Sequence, residues 1–208
     1  MLWSVILLLA LDNLGFNITT LVAGLGISGI AIALAVQNIL GDLLASLSIV
    51  LDKPFVLGDL IIVDEHIGYV EHIGLKTTRV RSLYGEQLIF SNNDLLQSRI
   101  RNFKRMAERR VIFTIGVTYQ TEVEKLEKIP GIIKEIIDKQ DKARFDRAHF
   151  KTFADFSLNF EIVFWIIGSN YNLYMDILQS INLQIYRRFA EETIEFAYPT
   201  QTLFVEKQ

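Results

Sequence analysis

Thr19–Asp42 reads TTLVAGLGISGIAIALAVQNILGD, and its only charge is the terminal aspartate. Thr19 to Val36 alone would form a helix of about 27 Å, close to the thickness of a hydrocarbon core. The other reading is a buried helix of a soluble protein. A signal peptide would need a basic N-terminal region, and the first basic residue is Lys53. The stretch therefore reads as a membrane span.

Charge around this stretch is uneven. Residues 1–52 carry Asp12, Asp42 and Asp52 and no Lys or Arg, so all 21 basic residues lie from Lys53 onward. The 208-residue chain is thus an apolar head and a normally charged body. Positive-inside bias places the body in the cytoplasm, beneath the cell (inner) membrane. Met1–Leu11 (MLWSVILLLAL) is too short to span a bilayer. It reads as the end of a membrane helix whose beginning is absent, turning at Asp12–Asn17, which implies a multi-pass protein.

Half of Leu21–Val36 is Gly, Ala or Ser. On a helical wheel with Ile30 at zero, Leu34 falls at about +40° and Gly26 at about −40°. Gly29 and Ala33 lie near −100° and −60°, while Ala31 and Ala35 lie near +100° and +140°, at about 100° per residue. A narrow bulky stripe is flanked by small residues on both sides. In lipid, small residues let backbones approach closely. Two such flanks suit a ring of copies in which Ile30 and Leu34 face the axis as an apolar constriction, able to gate by dewetting. An ordinary small-xxx-small packing face fits the same pattern. Helical periodicity continues to Leu51, too long for one straight span, and Gly41 beside Asn38 and Asp42 marks the bend. Leu43–Leu51 then lies at the interface or against the body, and Pro54 ends the helix.

In the body, short strands are expected at Asp59–Val63, Gly68–Ile73, Thr77–Ser82 and Gln87–Phe90, with a turn at Asn92-Asn93. They suggest a small antiparallel barrel or curled sheet. Beyond Ala107 the pattern is strand Arg110–Tyr119, helix Glu122–Lys139, hairpin His149–Phe156 with Leu158–Ile167, helix Leu173–Glu192 and strand Thr202–Val205. That order suggests a ferredoxin-like α+β unit. The expected division is 1–12 membrane helix end, 13–53 pore-lining helix, 54–106 β-domain and 107–208 α/β domain.

The chemistry of the chain is sparse. No cysteine means no disulfide, Cys-ligated zinc or thiol nucleophile. His66, His72 and His149 form no metal-ligand spacing. Gly24, Gly26 and Gly29 lack a Walker lysine and lie inside the apolar stretch. Asp42 gives little support for proton coupling, because it falls at the membrane interface. No nucleophile–base–orienter set is visible, so neither an enzyme nor a cofactor is expected. The basic run Arg99, Arg101, Lys104, Arg105, Arg109 and Arg110 reads as a membrane-facing or solvated segment. RNA binding is disfavoured, because residues 111–208 are net −3 and no aromatic stacking motif stands out.

Ala33–Asp42 (ALAVQNILGD), Asp52–Asp59 (DKPFVLGD) and Gly68–Arg79 (GYVEHIGLKTTR) together resemble the small-conductance mechanosensitive channel family. Asn92, Asn102-Phe103 and Tyr198-Pro199 extend the match along nearly the whole chain. The resemblance implies a homoheptamer with a pore-lining third span, a β-domain and a C-terminal α/β vestibule. It implies partners of membrane lipid, further copies, permeating ions and small solutes, and no nucleic acid. By matching position, Ile30 and Leu34 correspond to the gate, and Gly26, Gly29, Ala31 and Ala33 to the packing residues. Two positions depart from the family pattern: Asn38 stands where a glycine is usual at the pore-helix bend, and Ser91 replaces the usual proline. The expected activity is a tension-gated channel releasing small solutes on hypo-osmotic shock. The rivals are a non-conducting membrane-anchored scaffold or partner-binding ring, and a tethered RNA-binding barrel.

Overall fold

The computed structural model describes residues 17–201 and, before them, residues 3, 6, 10, 11, 13 and 14. Most of Met1–Leu11, three residues of the expected Asp12–Asn17 turn and the whole expected strand Thr202–Val205 lie outside these. The chain divides into two compact units, residues 1–102 and 103–208.

The first unit opens with α1, Ile18–Asp52, one unbroken helix of 35 residues, about 52 Å long. It contains no proline, and the Ser28 hydroxyl is satisfied by donating to the Gly24 carbonyl (2.9 Å). Its end is local. Lys53 takes a left-handed conformation (φ 48) while its N–H still bonds the Ile49 carbonyl, and Pro54 cannot continue the helix.

Burial along α1 changes abruptly. Every residue of Leu21–Leu40 is exposed in the single chain, whereas Asp42, Ala45, Ser46 and Ile49 are buried. The spacing i, i+3, i+4, i+7 is one helix face. Ile49 enters the core of Phe55, Ile61, Val63, Val70, Val80 and Leu95, where burying such a side chain stabilises by about 1.5–3 kcal/mol. The opposite face, with Leu44, Leu47, Val50 and Leu51, stays exposed. Of the two places expected for Leu43–Leu51, one face therefore lies against the body.

Five strands follow: β1 Leu60–Val63, β2 His66–Ile73, β3 Thr77–Ser82, β4 Gln87–Ser91 and β5 Ile100–Asn102. They form one antiparallel sheet in the order β4-β3-β2-β1-β5. Four match the expected strands to within two residues; β5 has no clear alternation. Asn92-Asn93 is not a turn but the start of a short helix, α2, Asn92–Gln97. Ser91 is its N-cap, accepting from the Asp94 N–H (3.4 Å).

The second unit contains β6 Glu108–Val117, α3 Val123–Asp138, β7 Ala143–Phe153, β8 Leu158–Ile167 and α4 Tyr171–Glu191. The sheet order is β6-β8-β7, all antiparallel. Phe196 adds an isolated bridge to Val117, on the side of β6 away from β8. This is the expected ferredoxin-like arrangement. Alternate residues of the sheet (Val111, Ile115, Phe160, Ile162, Phe164) share one core with Ile129, Ile133 and Ile137 of α3 and Ile181, Ile185 and Phe189 of α4. Strand β7 begins at Ala143, six residues before the expected His149. Register shifts at Phe145/Arg147 and Phe150/Thr152 interrupt its alternation, which hides it from a period-two reading.

Candidate functional site

The residues singled out for a pore all lie on α1. Gly26, Gly29, Ile30, Ala31, Ala33, Leu34 and Ala35 fall in its exposed half, with Ile30 and Leu34 each 65% exposed. A Cβ built on Gly26 or Gly29 meets nothing within 4 Å among the described residues. Among the described residues, nothing packs against these small residues. Asn38 and Gly41 sit in continuous helix just before burial begins.

What stops the exposed half is a polar anchor. Asp42 is buried, and its Oδ1 accepts from the Ser91 hydroxyl (2.5 Å) and the Asn93 N–H (3.1 Å). An aspartate set in an apolar helix thus finds donors in its own body. A buried carboxylate is tolerable only when hydrogen-bonded, and these donors meet that need. Ser91 and Asn93 are held in turn by Asn92 between them. Asn92 is fully buried: its amide donates to the Gly74 carbonyl (2.9 Å), and its Oδ1 accepts from the Thr78 hydroxyl (2.8 Å). Its backbone N–H bonds the Lys76 carbonyl (3.0 Å). Serine both caps α2 and donates to Asp42; proline at this position would do neither.

The sheet behind the anchor is cross-linked on its surface. Glu71 of β2 accepts from Arg81 Nε (2.7 Å) and Nη2 (3.0 Å) and from the Gln87 amide (2.8 Å), joining β2, β3 and β4. These hydrogen bonds, Arg81 first and then Gln87, hold the Glu71 carboxyl below the usual glutamate range. In the second unit, Lys151 and then Arg147 lower Glu161 in the same way. His66 is packed edge-on against Phe90 (5.9 Å). Arg109, expected in a solvated basic run, instead lies against three aromatic rings.

Sequence reasoning singles out Asp42 and notes Ser91 separately. It does not pair them, because nothing local links positions 49 residues apart.

Known families match this layout segment by segment. The family described as "Mechanosensitive ion channel, transmembrane helices 2/3" matches residues 1–37, "Mechanosensitive ion channel, beta-domain" matches 38–105, and "Mechanosensitive ion channel MscS, C-terminal" matches 111–196. The chain belongs to the small-conductance mechanosensitive channel family. It is 41% identical over 99% of its length to the large-conductance mechanosensitive channel MscMJLR of Methanocaldococcus jannaschii, and 39% identical over 97% to the small-conductance channel MscMJ of that organism. In each case it spans 58% of the relative, little more than half. The closed-state crystal structure of Helicobacter pylori MscS superposes with a TM-score of 0.71 at 26% identity, covering 97% of this chain and 79% of that one. Structures of this mechanosensitive channel family are homo-oligomeric, and the chain shares their fold. The family is one of channels, not enzymes.

Proposed function

We propose that copies of this chain form an ion channel in the cell (inner) membrane, opened by tension, that releases small solutes on hypo-osmotic shock. One observation carries the reading: Leu21–Leu40, about 30 Å of helix, is exposed all round and gives way at Asp42 to a face packed on a folded domain. The described residues leave this apolar cylinder uncovered, and lipid or neighbouring copies would cover it.

In this proposal the pore-lining helix is 13–53, the β-domain 54–106 and the cytoplasmic vestibule 107–208, with the end of another membrane helix at 1–12, in a multi-pass protein. Seven copies surround the pore. Ile30 and Leu34 form the apolar gate, and Gly26, Gly29, Ala31, Ala33 and Ala35 let neighbouring helices slide. Asn38 and Gly41 carry the bend between the lipid-embedded and anchored halves. Tension favours a wider state in which the gate residues leave the axis and the constriction wets. Membrane lipid supplies the tension, and ions and small solutes permeate.

Pressure-clamp recording from membranes holding the full-length protein tests the proposal. Wild type is expected to give discrete currents that rise with suction, and Leu34→Ser to open at lower tension by hydrating the constriction. Silence from both, in protein shown to sit in the membrane as a ring, would favour a non-conducting scaffold. An unchanged threshold in Leu34→Ser would remove that residue from the gate.

A further inference from the structure

Strand β6 carries a cation where its period calls for an apolar residue. Val111, Ile115 and Val117 are buried in the core of the second unit, and Phe113 packs against it. Alternate residues of a strand share a face, so Arg109 belongs to that face too. Its cross-strand partner in β8 is Ile166, only 1% exposed. The adjacent Glu108 carboxylate is taken by Arg144 of β7 (2.8 Å). Among the described residues, Arg109 forms no ion pair. Its Nε is the one buried side-chain nitrogen or oxygen without a hydrogen-bond partner among them. A buried donor without an oxygen is costly, so another attraction must offset it.

Three aromatic rings supply one. The Arg109 guanidinium carbon lies 4.9 Å from the Tyr174 ring centroid, 5.7 Å from Tyr171 and 5.8 Å from Phe103. All three fall within the roughly 6 Å over which a ring face attracts a cation. Tyr171 and Tyr174 stand three residues apart in α4, which places them side by side on one helix face. Their ring centroids are 5.5 Å apart and the ring planes lie at 53°, so they make a corner. Asn170 fixes the turn that carries them, accepting from the Leu173 N–H (3.2 Å). The rings work against the helix here, because the N-terminal end of α4 is its positive end and disfavours a cation. A guanidinium suits such a corner better than an ammonium, being planar, weakly hydrated and able to stack.

We infer that Phe103, Tyr171 and Tyr174 form a cation-binding cage selective for guanidinium, which Arg109 occupies from within the chain. The bound side chain pins the first turn of α4 to the start of β6. Tyr171 is 58% exposed, so the cage opens to solvent, and a free guanidinium ion can enter once the side chain is removed. The cage does not depend on whether the assembly conducts.

Hydrogen exchange of the full-length protein in lipid nanodiscs, read by mass spectrometry, tests the cage. Arg109→Ala empties it, and amides of Leu173–Ile177 should then exchange about tenfold faster, while those of Phe160–Phe164 in β8 keep their protection. Guanidinium chloride, far below denaturing concentrations, should restore most of the lost protection. Urea, which is neutral and of the same shape, and sodium chloride should not. Were Arg109→Ala to expose β8 as well, two variants that keep Arg109 decide: Tyr174→Leu should accelerate Leu173–Ile177, and Tyr174→Phe, which keeps the ring, should not. Equal rescue by urea, rescue by neither, wild-type rates in Arg109→Ala, or identical behaviour of the two Tyr174 variants would overturn the cage.

Discussion

The carboxylate of Asp42 and the hydroxyl of Ser91 meet oxygen to oxygen at 2.5 Å across 49 residues of sequence. One lies in an apolar helix, the other at the end of an edge strand. Their contact marks where α1 stops being an exposed cylinder and becomes part of a folded domain. The same serine caps α2, so a single hydroxyl serves as both donor and acceptor.

Removing that hydroxyl should loosen both attachments. Ser91→Ala is expected to lower the stability of the first unit by about 2 kcal/mol, combining a lost N-cap with a lost hydrogen bond to a carboxylate. Ser91→Thr should retain most of it. Denaturant unfolding followed by exchange at residues 60–102 measures the difference. Equal stability of Ser91→Ala and wild type would mean that the Asn93 N–H holds Asp42 by itself.

Gly29→Val and Ala31→Val separate packing within a chain from packing between chains. A Cβ at Gly29 touches nothing within 4 Å among the described residues, and Gly is a poor helix former. The isolated fold should therefore tolerate both changes, with unfolding curves that overlay wild type. If the small flanks face neighbouring copies, both variants should need more tension to open in pressure-clamp recordings. Unimpaired gating in both would undo the ring-packing argument.

The acid limb of stability should report the two lowered glutamates. A carboxyl whose folded pKa is depressed contributes stability that is full above its unfolded pKa and fades as pH falls through the folded value. Glu71 and Glu161 should therefore leave stability flat at neutral pH and reduce it only at and below the ordinary glutamate range. Glu71→Gln should shallow the acid slope for the first unit, and Glu161→Gln for the second. Melting temperature measured from pH 7 to about 3 checks both signs. Unaltered acid slopes would show that solvent screening cancels these exposed pairs.

The elements legible in sequence are those with an uninterrupted period. Strands β1 and β3 alternate along their length, β2 does so up to its register shift at Val70/His72, and β8, Leu158–Ile167, is so apolar that its ends coincide with those expected. Helix α2 escapes a sequence reading because six residues carry no helical period, and two adjacent asparagines are as common in turns as at helix starts. Strand β7 reads too short because its register shifts move charged residues out of alternation. Arg109 groups with its basic neighbours because charge is visible in a sequence and the rings around it are not.

The sequence by itself determined the membrane segment, the two folded units and the family. An uncharged run, a hydrophobic period and spaced local motifs are properties of neighbouring residues, and solvent sorts them without reference to the rest of the chain. Only the tertiary structure decided that α1 divides at Asp42, that Ser91 and Asn93 hold it there, and that Arg109 lies against aromatic rings. Those are pairings between distant positions, set by which polar groups are left facing one another once the apolar faces have been buried.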